Sequence, residues 1–215
     1  MPSLSDRLAD REESADGRFK IRTANRQTVI ETMVAMFLDG SYNEADYRQI
    51  SARSEVSVRT VYRLFEDKDS LYHDALASYL LKIRDDIAIP SIGKGSFDER
   101  IVRFLDARLR LFEAHGRTAM MLMRMANLST SQVIHSFPAR KRAFLREQVR
   151  LQFAPELEHL EESRAEGRLS MVDLGTQFES LGYLLYEIGM GRSDVRLLLE
   201  RLLRATFRPG STSFN

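Results

Sequence analysis

Arg59, Thr60, Tyr62, Arg63 and Lys68 lie close together in the chain, and their side chains suit gripping a polyanion rather than making or breaking bonds. The Arg59 guanidinium can hold guanine O6 and N7 in a bidentate pair worth about 1–3 kcal/mol of discrimination, or else rest on a phosphate or in solvent. Thr60 has a methyl for thymine and a hydroxyl for phosphate. The Tyr62 phenol has one hydrogen bond to donate, to a phosphate or inside a core. The Lys68 ammonium, near a helix start, adds its charge to a dipole that already attracts anions. Upstream, Arg18, Lys20, Arg22 and Arg26 crowd a short stretch that reads either as an arm near flanking phosphates and the minor groove or as a solvated tail.

Such chemistry must be local, because the 215-residue chain has a formal net charge of only +1. With 43% hydrophobic and 29% charged residues it has the balance of an ordinary globular protein. The absence of cysteine excludes thiolate metal sites and disulfides and fits a reducing compartment. A skew toward arginine over lysine suggests a GC-rich genome. No apolar run is long enough for a membrane helix, and the charged N-terminal stretch lacks a signal-peptide core, so a cytoplasmic, bacterial, membrane-free protein is expected. His73, His115, His135 and His159 are scattered without carboxylate partners at ligand spacing, so no metal is expected. Nowhere does the sequence pair a nucleophile with a base or form a phosphate-cradling glycine loop; neither an enzyme nor a cofactor is expected.

The elements that must position these groups are all helical; no strand is convincing. Residues 1–17 lack a sustained period and read as a flexible tail. Val29, Ile30, Met33 and Phe37 form the apolar stripe of a first helix from about Arg18, stopped by Gly40. Asp46, with Gln49 as its capping-box partner, starts a short second helix over 47–53. Ser54 to Ser57 turn the chain, and Ser57 caps a third helix from Val58 to Phe65. Two short helices joined by such a turn make a helix-turn-helix unit, in which residues at the start and outer face of the second helix reach base edges: Ser57, Val58, Arg59, Thr60 and Arg63. Asp67 caps a long fourth helix to about Ile87, with Leu71, Ala75, Leu76, Tyr79, Leu80 and Ile83 facing inward. Pro90 to Ser96, holding Gly93 and Gly95, is the best boundary in the chain. Helices are expected beyond it over about 97–114, 117–129, 137–165, 171–189 and 194–207, with Pro155 kinking or splitting the third.

The run Ile50-Ser51-x-x-Ser54-x-Val56-Ser57-x-x-Thr60-Val61-Tyr62-x-x-Phe65-x-x-Lys68-x-x-Leu71, preceded by Phe37-x-x-Gly40, resembles the N-terminal signature of the tetracycline-repressor (TetR) family of transcription regulators. The resemblance covers about the first third of the chain. It implies an all-α protein with a helix-turn-helix DNA-binding domain over 18–66, a linking helix over 67–89, a ligand-binding and dimerisation domain over 97–208 and a C-terminal tail over 209–215. Ile50, Val56, Val61, Phe65, Phe37 and Leu71 pack as a small core. Tyr62 and Lys68 match family positions that hold the DNA backbone. The sequence departs from the pattern in two places. Glu55 stands where a glycine is usual, at a cost of about 1–2 kcal/mol if the backbone there is left-handed, and Asp46 replaces a threonine cap.

By the same resemblance the second domain binds a small-molecule effector and pairs with a second copy; the methionine-rich stretch from Met120 to Met125 suggests that the effector is apolar. Phe104, Phe112, Met120, Met123, Asn127, Phe144, Phe178 and Tyr183 are candidates for the ligand site, with core packing as the plain alternative for the methionines. Leu174, Leu181, Leu185, Leu198 and Leu202, with Gly182 allowing close approach, are candidates for the dimer interface. The implied function is a homodimeric regulator, a repressor on the commoner family pattern, on a pseudo-palindromic operator with half-sites about 34–36 Å apart. An effector would move the fourth helix and change the spacing of the heads. The alternative is a TetR-fold DNA-binding protein with no small-molecule effector, serving nucleoid or division control through a protein partner.

Overall fold

The structure, a computed structural model, describes residues 4–39, 41 and 47–207, with side chains described from Gly17 onward. The stop at Gly40, the cap at Asp46 and the tail at 209–215 lie outside the described residues. Every regular element is helical, with no strand among the described residues. No helix there is long and apolar enough to cross a membrane. Contacts divide the chain into two units, Met1–Lys82 with Ser129–Val133, and Ile83–Leu128 with Ile134–Asn215.

In the first unit α1 spans Leu4–Asp39, so the stretch expected as a flexible tail is helical from Leu4. Residues 4–17 lack an apolar stripe, yet they contain no proline and are rich in leucine, alanine, arginine and glutamate. Extending an existing helix through good helix formers incurs no nucleation cost. Helices α2 (Tyr47–Ser54), α3 (Val58–Leu64) and α4 (Lys68–Lys82) pack with α1. Val29, Ile30, Met33 and Phe37 of α1 are buried, as are Ile50, Val56, Val61, Phe65 and Leu71. Asp67 caps α4, its carboxylate accepting the Ser70 N–H at 2.7 Å. Leu80, expected inside, is 42% exposed.

Helix α4 stops at Lys82 rather than near Ile87. Ile83 leaves the helical region (φ −97°, ψ 7°) and a separate turn, α5 (Arg84–Ile87), follows. Asp85 and Asp86 would oppose the dipole at the end of a longer α4, whereas in α5 they occupy the first turn, where negative charge is favourable.

The Pro90–Ser96 segment is not a boundary between units; it is a close-packed turn inside the second one. Gly93 has φ 74°, and a Cβ there would lie 2.9 Å from the Leu151 carbonyl oxygen. Its N–H donates to the buried Gln152 Oε1 at 2.9 Å, while Gln152 Nε2 donates to the Arg100 carbonyl at 2.7 Å. Glycine serves here to bring backbones together, the property that also makes such segments read as linkers.

Helix α6 (Phe97–Ala126) opens with a Ser96–Glu99 capping box and runs through His115-Gly116, where two helices were expected. A Cβ on Gly116 would meet the fully buried Phe112 ring at 2.8 Å, so this glycine makes room for a ring one turn earlier and does not end the helix. Helix α7 (Gln132–Gln152) ends before Pro155, which sits in the first turn of the short α8 (Ala154–Leu157). Helix α9 (Glu162–Thr176) passes through Gly167; the break comes instead at Gln177, before α10 (Phe178–Gly182). A π-helical turn over Tyr183–Glu187 precedes α11 (Arg192–Phe207).

Two ring clusters anchor this unit. Phe153 stacks on Phe207 at 4.7 Å and meets Phe104 edge-on at 5.4 Å, while Phe112 meets Phe178 edge-on at 5.4 Å. Gly182 gives close approach within the chain, since a Cβ there would meet the Met120 side chain at 2.9 Å.

Candidate functional site

Ser57 caps α3 by accepting the Thr60 N–H at 3.2 Å, and its hydroxyl also meets the Thr60 hydroxyl at 2.8 Å. Val61 and Leu64 of that helix are buried, which leaves the opposite face to solvent. Arg59 and Arg63 are exposed there, with Ser57 beside them and Val58 and Thr60 half-buried. Tyr62 is 62% exposed, its ring edge-on against the buried Tyr47 at 4.5 Å. Burial, with Asp67 nearby, pushes the Tyr47 phenol up and keeps it neutral. Lys68 stands exposed at the first position of α4. Among the described residues Arg59, Arg63 and Lys68 have no ion-pair partner.

Arg22 is exposed on α1, as are Arg18 and Lys20. Arg26, expected with them near phosphates, is committed elsewhere. It donates to the Leu64 carbonyl at 2.6 Å, pairs with Asp74 and lies over the Phe65 ring at 4.4 Å, so it clasps the end of α3 between α1 and α4. Sequence alone gave it the same weight as its three neighbours because charge runs carry no record of which member turns inward.

Glu55 does adopt the left-handed backbone, with φ 57°. That geometry costs a residue with a Cβ about 1–2 kcal/mol, and glycine's larger unfolded-state entropy offsets about 0.5–1 kcal/mol of the gain from removing it. Glu55→Gly is therefore expected to stabilise the protein by roughly 0.5–1 kcal/mol, seen as a higher unfolding temperature. An unchanged or lower one means that the glutamate side chain compensates for its backbone.

Several of the expected ligand-site residues pack into the core instead of lining a cavity. Phe104, Phe112 and Phe178 are core rings packed on other rings, because large apolar side chains on facing helices close on each other unless something holds them apart. Phe144 and Tyr183 are about half exposed on the surface, at 49% and 51%. Met120 is half-buried against Gly182. Met123 and Asn127 share a cavity, a cleft of about 400 Å³ whose other walls include Arg124, His135, Arg142 and Glu179. Behind two of its walls lies Lys141, a residue sequence reading passed over. Its Nζ donates to Glu179 Oε2 at 2.7 Å, lies 3.0 Å from Met123 Sδ and sits over the Phe178 ring at 5.2 Å. Burial pushes the Lys141 ammonium down, against the opposing hydrogen bond of Glu179. For Glu179 burial works upward, but Lys141 and Arg142, with a backbone hydrogen bond, together hold the carboxyl below its ordinary value. His135, Ala139 and Arg142 recur at helical spacing on α7, the one sequence signal that could have revealed this face. Deeper in the same unit, burial pushes the Arg108 guanidinium down to about 10; it donates to the Leu145 carbonyl at 3.1 Å and lies against the Phe104 ring.

Of the expected interface residues, Leu181 is fully buried in the core, because Phe178, Leu181 and Gly182 form the inward face of α10. Leu174 is 72% and Leu198 43% exposed, while Leu185 and Leu202 are half-buried. Leu198 and Leu202, with Gly175, Tyr183 and Leu184, line an open groove of about 470 Å³ that Glu179 also borders.

Compared with family models, curated proteins and solved structures, the chain matches none.

Proposed function

We propose that the chain is a TetR-type transcription regulator, a homodimer that binds a pseudo-palindromic DNA site and acts as a repressor. The observation that carries this reading is a separation of roles within one short segment. Ile50, Val56, Val61 and Phe65 are buried, whereas Arg59, Tyr62, Arg63 and Lys68 are exposed and the three cations among them have no ion-pair partner among the described residues. Helices α2 and α3 act as a helix-turn-helix pair, with the start of α3 entering the major groove and Tyr62 and Lys68 on the backbone. The open apolar groove, whose lining includes Tyr183, Leu184, Leu198 and Leu202, supports pairing with a second copy about a two-fold axis. The packed rings of the body favour the alternative without a small-molecule effector in one respect, since Phe104, Phe112 and Phe178, expected to line an apolar pocket, fill that space themselves.

Selection of bound duplexes from a random DNA pool at near-physiological salt tests the proposal. The expected result is an inverted repeat with half-sites about 34–36 Å apart, one helical turn. Salt-sensitive binding with no repeat enriched would overturn the dimeric operator reader in favour of an architectural DNA-binding role.

A further inference from the structure

We propose that the cleft between the end of α6 and the first half of α7 is a binding site for small organic carboxylates. Its volume of about 400 Å³ falls at the lower end of the range for small-molecule sites, enough for a ligand of one or two rings. The charge around it is lopsided. Arg124, Arg142 and His135 line the cleft, and the Lys141 ammonium lies just behind Met123 and Glu179. Against these stands one carboxylate, Glu179, held at once by Lys141 at 2.7 Å and by Arg142 Nε at 3.0 Å. Arg124 has no ion-pair partner among the described residues.

Glu179 already shows how a carboxylate sits among these cations, and the half-exposed Arg142 and the exposed Arg124, both lining the cleft, are available to a second one. Guanidinium groups bind carboxylates through paired, charge-assisted hydrogen bonds, which selects a planar anion over a neutral molecule of the same shape. The Lys141 side chain is only 8% exposed, so its charge is less screened by water than a surface lysine's. Met123, Ala126, Pro138 and Ala139 provide an apolar wall for the ligand's body. Glu179 borders the apolar groove as well as the cleft, so an anion that draws Arg142 away from it alters a residue of the pairing face. That regulatory consequence rests on the dimeric regulator proposed above; the binding site does not.

The test uses the full chain and no DNA, so its failure and that of the DNA-binding reading are separable. Titration calorimetry with 2-naphthoate and its neutral isostere 2-naphthamide should show the carboxylate bound at least about tenfold more tightly. Arg124→Gln, a change at an exposed and unpaired side chain, should remove that preference while leaving the unfolding temperature unchanged. Glu179→Gln, which withdraws the competing carboxylate, should strengthen 2-naphthoate binding, an outcome that a purely structural Lys141–Glu179 pair would not give. Equal binding of acid and amide, unchanged affinity in Arg124→Gln, weaker binding in Glu179→Gln, or no binding of 2-naphthoate up to about 10 mM each overturns the proposal.

Discussion

Arg59→Ala is expected to flatten the DNA sequence preference, whereas Tyr62→Phe and Lys68→Ala lower affinity for every duplex alike. A bidentate arginine–guanine pair is worth about 1–3 kcal/mol of discrimination, so the preferred site should lose roughly 5- to 150-fold while unrelated duplexes lose far less. Arg59 is exposed beside the N-cap of α3, where side chains of a recognition helix meet base edges. If Lys68, at the start of α4, holds a phosphate as proposed, Lys68→Ala removes that contact and the slope of log K against log salt should fall by about 0.9. Tyr62→Phe keeps the ring that packs on Tyr47 and removes only the hydroxyl. One hydrogen bond to a charged phosphate is worth about 1.5–3 kcal/mol, lost without regard to sequence. Binding titrations of the three variants on the selected site and on a scrambled one, at several salt concentrations, separate these outcomes. Unchanged selectivity in Arg59→Ala would make that residue a backbone contact.

The first unit was the more legible of the two because its information is local. A cap at Ser57, a short apolar period through Val61 and a turn at Glu55 specify two brief helices almost residue by residue, and the structure moves the end of α3 only from Phe65 to Leu64. The body's signals were long-range and were misread for physical reasons. Gly116 looks like a helix end and instead accommodates a ring four residues earlier, while Gly93 looks like a linker and instead admits the Leu151 carbonyl. Phe104, Phe112 and Phe178 look equally like a cavity wall and like a core, since the same side chains serve both. Only the distances between them decide, and distances across helices are not written in the period of any one of them. The Lys141–Glu179 pair was invisible for the same reason, its members lying far apart in the chain but 2.7 Å apart in space.

Glu156→Ala is expected to cost about 3–5 kcal/mol of stability, the largest effect of any single change considered. Arg100 and Glu156 form an ion pair with side chains only 7% and 15% exposed, and Arg100 also donates to the Gly95 carbonyl. Together with Gln152 they hold the Pro90–Ser96 turn against the end of α7. Removing the carboxylate leaves a buried guanidinium with no countercharge, and desolvation in that state is far costlier than the pair is favourable. The pair is itself incompletely satisfied, since Arg100 Nε and Glu156 Oε2 are buried without partners. The double replacement Arg100→Met/Glu156→Leu should therefore recover most or all of the loss, because apolar side chains of similar volume carry no desolvation cost. Urea unfolding of the two variants reads this directly, as a large fall in midpoint for the single change and a near-native midpoint for the double. If Glu156→Ala costs less than about 1 kcal/mol, the pair is hydrated in solution and the turn is held by Gln152 and the Gly93 backbone instead.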